Sequence, residues 1–125
     1  IEHLYKDEVM RFLDAAYAAL RPGGRLVLQT ANADSPWGVM HRYSDFTHEI
    51  AFTPVGLGRL MKLAGFGSIE AREAGPIPFG SGPVSTARAG LWQVFRLGFK
   101  FWNVVELGVP GSGILTRIFL ISGSK

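Results

Sequence analysis

The chain has 125 residues, 47% of them hydrophobic, and this length favours one domain with enough apolar side chains to form a core. It has no cysteine, which excludes disulfides and thiolate metal sites. The net charge is +3, but the basic residues are scattered from Lys6 to Lys125, so we expect no nucleic-acid partner.

The first predicted element is an amphipathic helix from about Asp7 to Leu20. Its apolar residues recur at three- and four-residue steps, which places Val9, Phe12, Leu13, Ala16, Tyr17 and Leu20 on one face. Asp7 is the predicted N-terminal cap, and Pro22 ends the helix because it disfavours helical geometry at the residue before it. The chain opens without the basic start and apolar core of a signal peptide, so we expect a cytoplasmic protein.

A buried strand is predicted from Arg25 to Thr30, after a turn at Gly23 and Gly24. It contains the run Leu26-Val27-Leu28, and such an unalternating apolar run is typical of a strand covered on both faces in a parallel sheet. Residues 31–52 mix turn formers with aromatic side chains and predict a long ordered loop. Ordered loops of this length are usually functional.

A second helix is predicted to begin at Pro54, with Thr53 as its cap, and to end at Gly65. Its inner face is apolar and consists of Leu57, Leu60, Met61 and Ala64. A short strand follows at residues 68–72.

The segment from Ser85 to Leu107 is predicted to be a third, very apolar helix. It follows a connector rich in proline and glycine at residues 75–83 and precedes a closing strand at residues 114–122. Arg96 and Lys100 interrupt it, so it is a poor transmembrane span. It either covers the sheet as a core helix, or its part from Leu91 to Leu107 forms a lid over an apolar or lipid-linked ligand, a dimer face or a peripheral membrane contact.

The order of these elements and several short sequence motifs in them resemble a known enzyme family. Three motifs are similar to the C-terminal half of a class I S-adenosylmethionine-dependent methyltransferase of the type 11/23 kind. They are IEHL at the start, LRPGGRLVLQTAN from Leu20 to Asn32 and LMKLAGF from Leu60 to Phe66. The resemblance implies an α/β, partial Rossmann-like fold with strands five, six and seven, flanking helices, and an inserted apolar helix between the last two. Residues 1–125 are then a single domain, with the insertion at residues 74–113.

The glycine-rich loop and the acidic residue that hold S-adenosylmethionine in this family have no counterpart in the sequence. The resemblance therefore implies a truncated domain that belongs to a transferase but is inactive alone. It also leaves the strand at residues 26–30 without its expected parallel neighbour. An unpaired apolar edge favours association, so we expect a homo-oligomer, such as a dimer paired through this edge.

Three residues are the candidates for contact with S-adenosylmethionine. Ligands of open α/β sheets lie beyond the carboxyl ends of the strands, which selects Glu2 and His3 after the family's fourth strand and Asn32 after the fifth. His3 has an alternative role as a helix-flanking residue that bonds to backbone. Asn32 has an alternative role as a turn former.

The stretch YSDFTHEIAF, from Tyr43 to Phe52, carries the candidate catalytic residues. It resembles the Asp-x-Thr-His segment of methyltransferases encoded with glycan-modifying enzymes, here Asp45, Thr47 and His48. A neutral imidazole can take a proton from a hydroxyl or phosphate nucleophile near neutral pH. We therefore predict His48 as the general base, oriented by Asp45, with a glycan, phosphate or small-molecule acceptor. The alternative is a network in which both residues only cap the loop.

Two competing interpretations stay open at this stage. His41, Asp45, His48 and Glu49 would share a helix face and suit zinc or manganese, but Pro36 and Gly38 argue against a long helix there, and we expect no metal site. The second interpretation is a non-catalytic methyltransferase-like module that acts through dimerisation or partner binding.

Overall fold

The computed structural model describes residues 1–75 and 80–125 and shows an α/β order of elements. Its helices are α1 (Lys6–Ala19), α2 (Gly38–Tyr43), α3 (Pro54–Leu63) and α4 (Pro83–Leu107). Its strands are β1 (Arg25–Ala31), β2 (Gly67–Glu73) and β3 (Ile118–Ser124). The middle of the predicted connector, residues 76–79, lies outside the described residues.

The three strands form one sheet in the order β1-β3-β2. β3 pairs antiparallel with both neighbours, with Ala31 opposite Ile118 on one side and Glu73 opposite Phe119 on the other. Because both outer strands run against β3, they run parallel to each other. Their carboxyl ends, at Ala31 and Glu73, therefore lie at the same edge of the sheet.

The environment of β1 differs from the one predicted from its apolar run. The prediction of a strand covered on both faces in a parallel sheet is wrong, because β1 pairs antiparallel with β3 and Val27 is 58% exposed. Leu26 and Leu28 pack against the core while Val27 points to the other face, as strand geometry requires. Within the described residues β1 is an edge strand, and association through this edge stays a prediction.

The first helix begins one residue earlier than predicted, and this changes its cap. The Glu8 carboxylate accepts the Tyr5 backbone N–H at 2.9 Å, and the Glu8 N–H donates to the Tyr5 carbonyl at 2.9 Å. Asp7 is therefore not the cap. It lies inside the first turn, where its carboxylate pairs with Arg11 at 2.7 Å.

The second predicted helix is confirmed as α3. The Thr53 hydroxyl accepts the Gly56 N–H at 2.9 Å, and Pro54 occupies the first turn, where its missing N–H costs nothing. Gly65 has a φ of 99°, the left-handed conformation that ends helices. Side chains of α1, α3, β3 and the residues flanking α3 form the core, which consists of Val9, Leu13, Phe52, Leu57, Met61, Phe66, Phe119 and Ile121.

The long apolar helix α4 does not cover the sheet, so its interpretation as a core helix is wrong. Ala89 is its only buried residue within the described part of the chain. Its polar side chains face the body of the protein instead, because Glu73 at the end of β2 attracts them. The half-buried Glu73 carboxylate accepts from the Trp92 indole at 3.2 Å, the Arg96 guanidinium at 3.3 Å and the Leu115 N–H at 3.0 Å.

None of the helices among residues 1–75 and 80–125 is both long enough and apolar enough to cross a membrane. This agrees with the expectation that Arg96 and Lys100 make α4 a poor span.

Replacing Glu73 with Ala should lower the free energy of unfolding by about 1–3 kcal/mol, because three donors lose a half-buried acceptor. Glu73→Gln should cost less, since its carbonyl oxygen still accepts one of them. Urea unfolding measures both. Glu70→Ala is the matched control, because Glu70 is an exposed residue of the same strand whose pairing with Arg72 is worth about 0–1 kcal/mol. Equal losses at Glu73 and Glu70 would contradict this role of Glu73.

Candidate functional site

The candidate site forms where the start of the chain meets the loop that follows β1. The backbone N–H groups of Glu49 and Ile50 both donate to the Glu2 carbonyl, at 2.8 and 3.2 Å. Residues 2–3 are thereby held against residues 47–50, although more than forty positions separate them in sequence. Glu2, His3, Asp45 and His48, which the sequence placed at two distant positions, lie together.

The His48 imidazole has a defined orientation and tautomer. His48 is 9% exposed, and its Nδ1 lies 3.1 Å from the His41 carbonyl oxygen. A carbonyl can only accept, so Nδ1 must carry the proton of this hydrogen bond. When the ring is neutral, Nε2 is therefore the basic nitrogen, which is the arrangement that a general base needs.

The His3 imidazole is oriented in the same way by Thr47. Its Nδ1 lies 3.2 Å from the Thr47 carbonyl oxygen and 2.9 Å from the Thr47 hydroxyl oxygen. Since the carbonyl can only accept, Nδ1 again carries the proton and Nε2 is the basic nitrogen of the neutral ring. The His3 and His48 rings lie 4.9 Å apart between centroids. The site thus contains two neighbouring imidazoles with the same tautomer.

Asp45 acts on His3 through Thr47 and has no direct hydrogen bond to the His48 ring among the described residues. Its Oδ1 accepts the Thr47 N–H at 2.8 Å and the Thr47 hydroxyl at 2.7 Å. These two hydrogen bonds hold the pKa of the Asp45 carboxyl below its usual value, so it is ionised at neutral pH. The predicted orienting role on His48 falls to the His41 carbonyl, which no side-chain pattern could have indicated.

Glu2 supplies the site with a partly buried carboxylate. Its Oε2 accepts the Thr30 hydroxyl at 2.9 Å, which ties the start of the chain to the end of β1. Partial burial alone would raise the pKa of Glu2. The hydrogen bonds from its own backbone N–H and from Thr30, together with the Ile1 amino group, outweigh that effect and hold the pKa below its usual value.

Asn32 is placed at the end of β1 as predicted, but its side chain is used inside the protein. Its Nδ2 donates to the carbonyls of Ile114 and Thr116 at 2.9 and 2.8 Å, and its Oδ1 accepts the Asp34 N–H at 3.0 Å. The residue is 1% exposed. A cofactor contact through this side chain would require these bonds to be exchanged, which supports its alternative role as a turn former.

The side chains whose possible metal-ligand atoms lie close together are not the four that the sequence suggested, His41, Asp45, His48 and Glu49. Within residues 1–75 and 80–125, the group is Glu2, His3 and His48, whose ligand atoms lie within 4.8 Å of one another. Two imidazoles and a carboxylate suit a divalent transition metal. However, Glu2 already accepts from Thr30, and the expectation that the protein holds no metal stays a prediction.

A cavity of about 720 Å³ adjoins the site on the side of α1 and α3. Glu49, which follows His48 and bonds to the Glu2 carbonyl, lines the cavity, and Lys6 lines it from α1. The remaining wall is mostly apolar and consists of Val9, Met10, Ile50, Ala51, Phe52, Thr53, Gly56 and Leu60. Its size is within the range of small-molecule pockets.

One solved structure relates this fold to a known class of enzyme. The chain is similar to the crystal structure of a SAM-dependent methyltransferase from Archaeoglobus fulgidus, at 16% sequence identity and a TM-score of 0.63. The match covers 99% of this chain and 55% of that one, so the chain spans about half the length of its structural relative. No protein-family model and no curated protein matches the chain. The likeness shows a methyltransferase-like α/β fold.

Replacing Thr47 with Val should raise the pKa of Asp45 toward its ordinary value of 3.8, because the hydroxyl donor is lost. Carboxyl NMR titration measures this pKa, and Thr47→Ser, which keeps the hydroxyl, is the matched control. With its pKa lowered by folding, ionised Asp45 stabilises the fold above its unfolded pKa. That contribution disappears as the pH falls through the folded pKa. Equal Asp45 pKa values in both variants would contradict the assignment.

Proposed function

We propose that the chain is the C-terminal portion of an S-adenosylmethionine-dependent methyltransferase. In this proposal β1, β2 and β3 are the fifth, sixth and seventh strands of that fold, and α4 is an insertion between the last two. The acceptor is an oxygen of a glycan, a phosphate or a small metabolite. The similarity to a methyltransferase of known structure supports the class, while the acceptor rests on the sequence resemblance alone.

The observation that carries the proposal is the oriented imidazole of His48 beyond the end of β1. Its Nδ1 is held by the His41 carbonyl, which directs a basic Nε2 to accept a proton. Bound S-adenosylmethionine supplies an activated methyl group on a sulfonium centre. His48 Nε2 would take the proton of the acceptor oxygen as that oxygen receives the methyl group.

The described residues fit the cofactor only in part. Glu2 offers an ionised carboxylate and His3 an exposed, oriented ring, which are groups suited to hydroxyl and amino donors. The Asn32 side chain is already used by hydrogen bonds within the protein. The remaining cofactor contacts would come from residues outside this chain.

A non-catalytic, partner-binding module is the second candidate function. It is favoured by the internal use of Asn32, whose side chain bonds to the protein instead of being open to a cofactor. The two functions differ in whether an intact cofactor site can be assembled around Glu2 and His3.

Titrating S-adenosylhomocysteine by calorimetry distinguishes them. We expect binding to a version extended by the coding sequence upstream of Ile1, and none to this chain alone. In the extended version, His3→Ala should weaken binding several-fold, while Glu70→Ala, on the exposed side of β2, should leave it unchanged. Absence of binding in both forms would overturn the methyltransferase proposal in favour of the partner-binding one.

Replacing His48 with Ala in the extended version should lower turnover at least about tenfold, because the proton acceptor is lost. Added imidazole should restore part of that turnover, which a purely structural role would not allow. The Glu70→Ala variant again serves as the control. Unchanged turnover in His48→Ala, or a loss that imidazole does not relieve, would exclude His48 as the base.

A further inference from the structure

The outer side of α4 is a wide apolar face with no charge on it. The helix has 25 residues and is about 37 Å long. At 100° per residue, an arc of about 160° from Leu97 to Phe95 holds only apolar residues and glycine. Its large side chains are all 60–72% exposed: Val84, Leu91, Val94, Phe95, Leu97, Phe101, Trp102 and Val105.

The opposite, polar side of α4 is fixed against the body of the protein. Arg96 pairs with Glu73 at 3.3 Å, and the Lys100 stem lies so close to Gly113 that a Cβ there would meet its Cε at 2.6 Å. The helix therefore cannot turn its apolar face inward without giving up these contacts. Its outward orientation is a property of the fold.

A second exposed apolar segment lies at the same edge of the sheet. Residues 37–46 follow the carboxyl end of β1, and α4 follows the carboxyl end of β2. Asp34 precedes the first segment and Ser112 follows α4, and the Ser112 hydroxyl donates to Asp34 at 2.9 Å. Segments 37–46 and 84–109 contain seventeen of the twenty-two exposed large apolar residues among the described ones. We name the exposed side chains of these two segments the outer apolar surface.

The chemistry of this surface favours a lipid bilayer over a second copy of the chain. It carries Trp37, Tyr43 and Trp102, and such amphipathic aromatic side chains prefer the membrane–water interface. Arg96 and Lys100 face the protein, so the charges near this surface are Arg42 and Arg88 beside Asp45 and Glu106. The chain as a whole carries a net charge of +3, which repels a second copy and attracts anionic headgroups.

We propose that the outer apolar surface lies on an anionic lipid bilayer, with α4 in the plane of the headgroups. Its apolar arc enters the acyl boundary while its polar side stays on the protein. The proposal does not depend on methyl transfer, since it concerns binding to lipid only.

Co-sedimentation with vesicles tests the proposal directly. The chain should pellet with vesicles of phosphatidylcholine and phosphatidylglycerol, and less with phosphatidylcholine alone. The double variant Phe101→Ser with Val105→Ser, at the centre of the arc, should reduce the bound fraction roughly tenfold or more. Leu63→Ser is the matched control, because Leu63 is 76% exposed on α3, outside the outer apolar surface. No pelleting, or equal pelleting of the double variant, would overturn the proposal.

Tryptophan quenching by brominated lipids locates the contact within the helix. A variant that keeps only Trp102 should be quenched, while one that keeps only Trp92, which donates to Glu73 on the polar side, should not. Quenching of both would indicate unfolding on the membrane and would contradict the proposed orientation. A dimer in sedimentation velocity that the double variant dissociates, without vesicle binding, would replace lipid with a second copy as the occupant.

Discussion

The antiparallel position of β3 between two parallel strands is the constraint on which the rest of the structure depends. It places the carboxyl ends of β1 and β2 at one edge of the sheet. Glu2, the two imidazoles and the loop after β1 assemble at this edge, and Glu73 at the end of β2 binds α4 there. The candidate site and the outer apolar surface are therefore neighbours because of strand order.

The residues that join distant segments are few and polar. Thr30 binds Glu2, Asn32 binds the segment before β3, and Glu73 binds both α4 and Leu115. Each lies at or next to the end of a strand, where the ladder of backbone hydrogen bonds stops and side chains can replace it. These residues hold the edge together, which explains why their polar atoms are used inside the protein.

Much of the fold could be predicted from local patterns. Thr53, Pro54 and Gly65 specify α3 through a cap, a first-turn proline and a left-handed end, all of which act within a few residues. The environment of β1 was predicted wrongly, because the run Leu26-Val27-Leu28 fits any strand, and both its pairing and the cover on its faces are long-range properties. The clustering of Glu2 with His48 could be suggested only by family resemblance. The backbone carbonyl of His41 leaves no signal in a sequence.

The orientation of α4 could not be predicted from the sequence either, because a helical pattern defines an apolar and a polar face but not which of them packs against the protein. Magnitudes decide it here. Burying one large apolar side chain is worth about 1.5–3 kcal/mol, so eight of them would favour an inward apolar face if an apolar surface were available. The end of β2 instead presents Glu73, which would lose its donors if the helix turned, at a cost of about 1–3 kcal/mol. Among the described residues α4 buries only Ala89, so the chain itself does not bury this apolar face. The apolar arc of α4 therefore stays exposed in the described chain. The proposed bilayer can cover the whole arc without requiring a complementary shape.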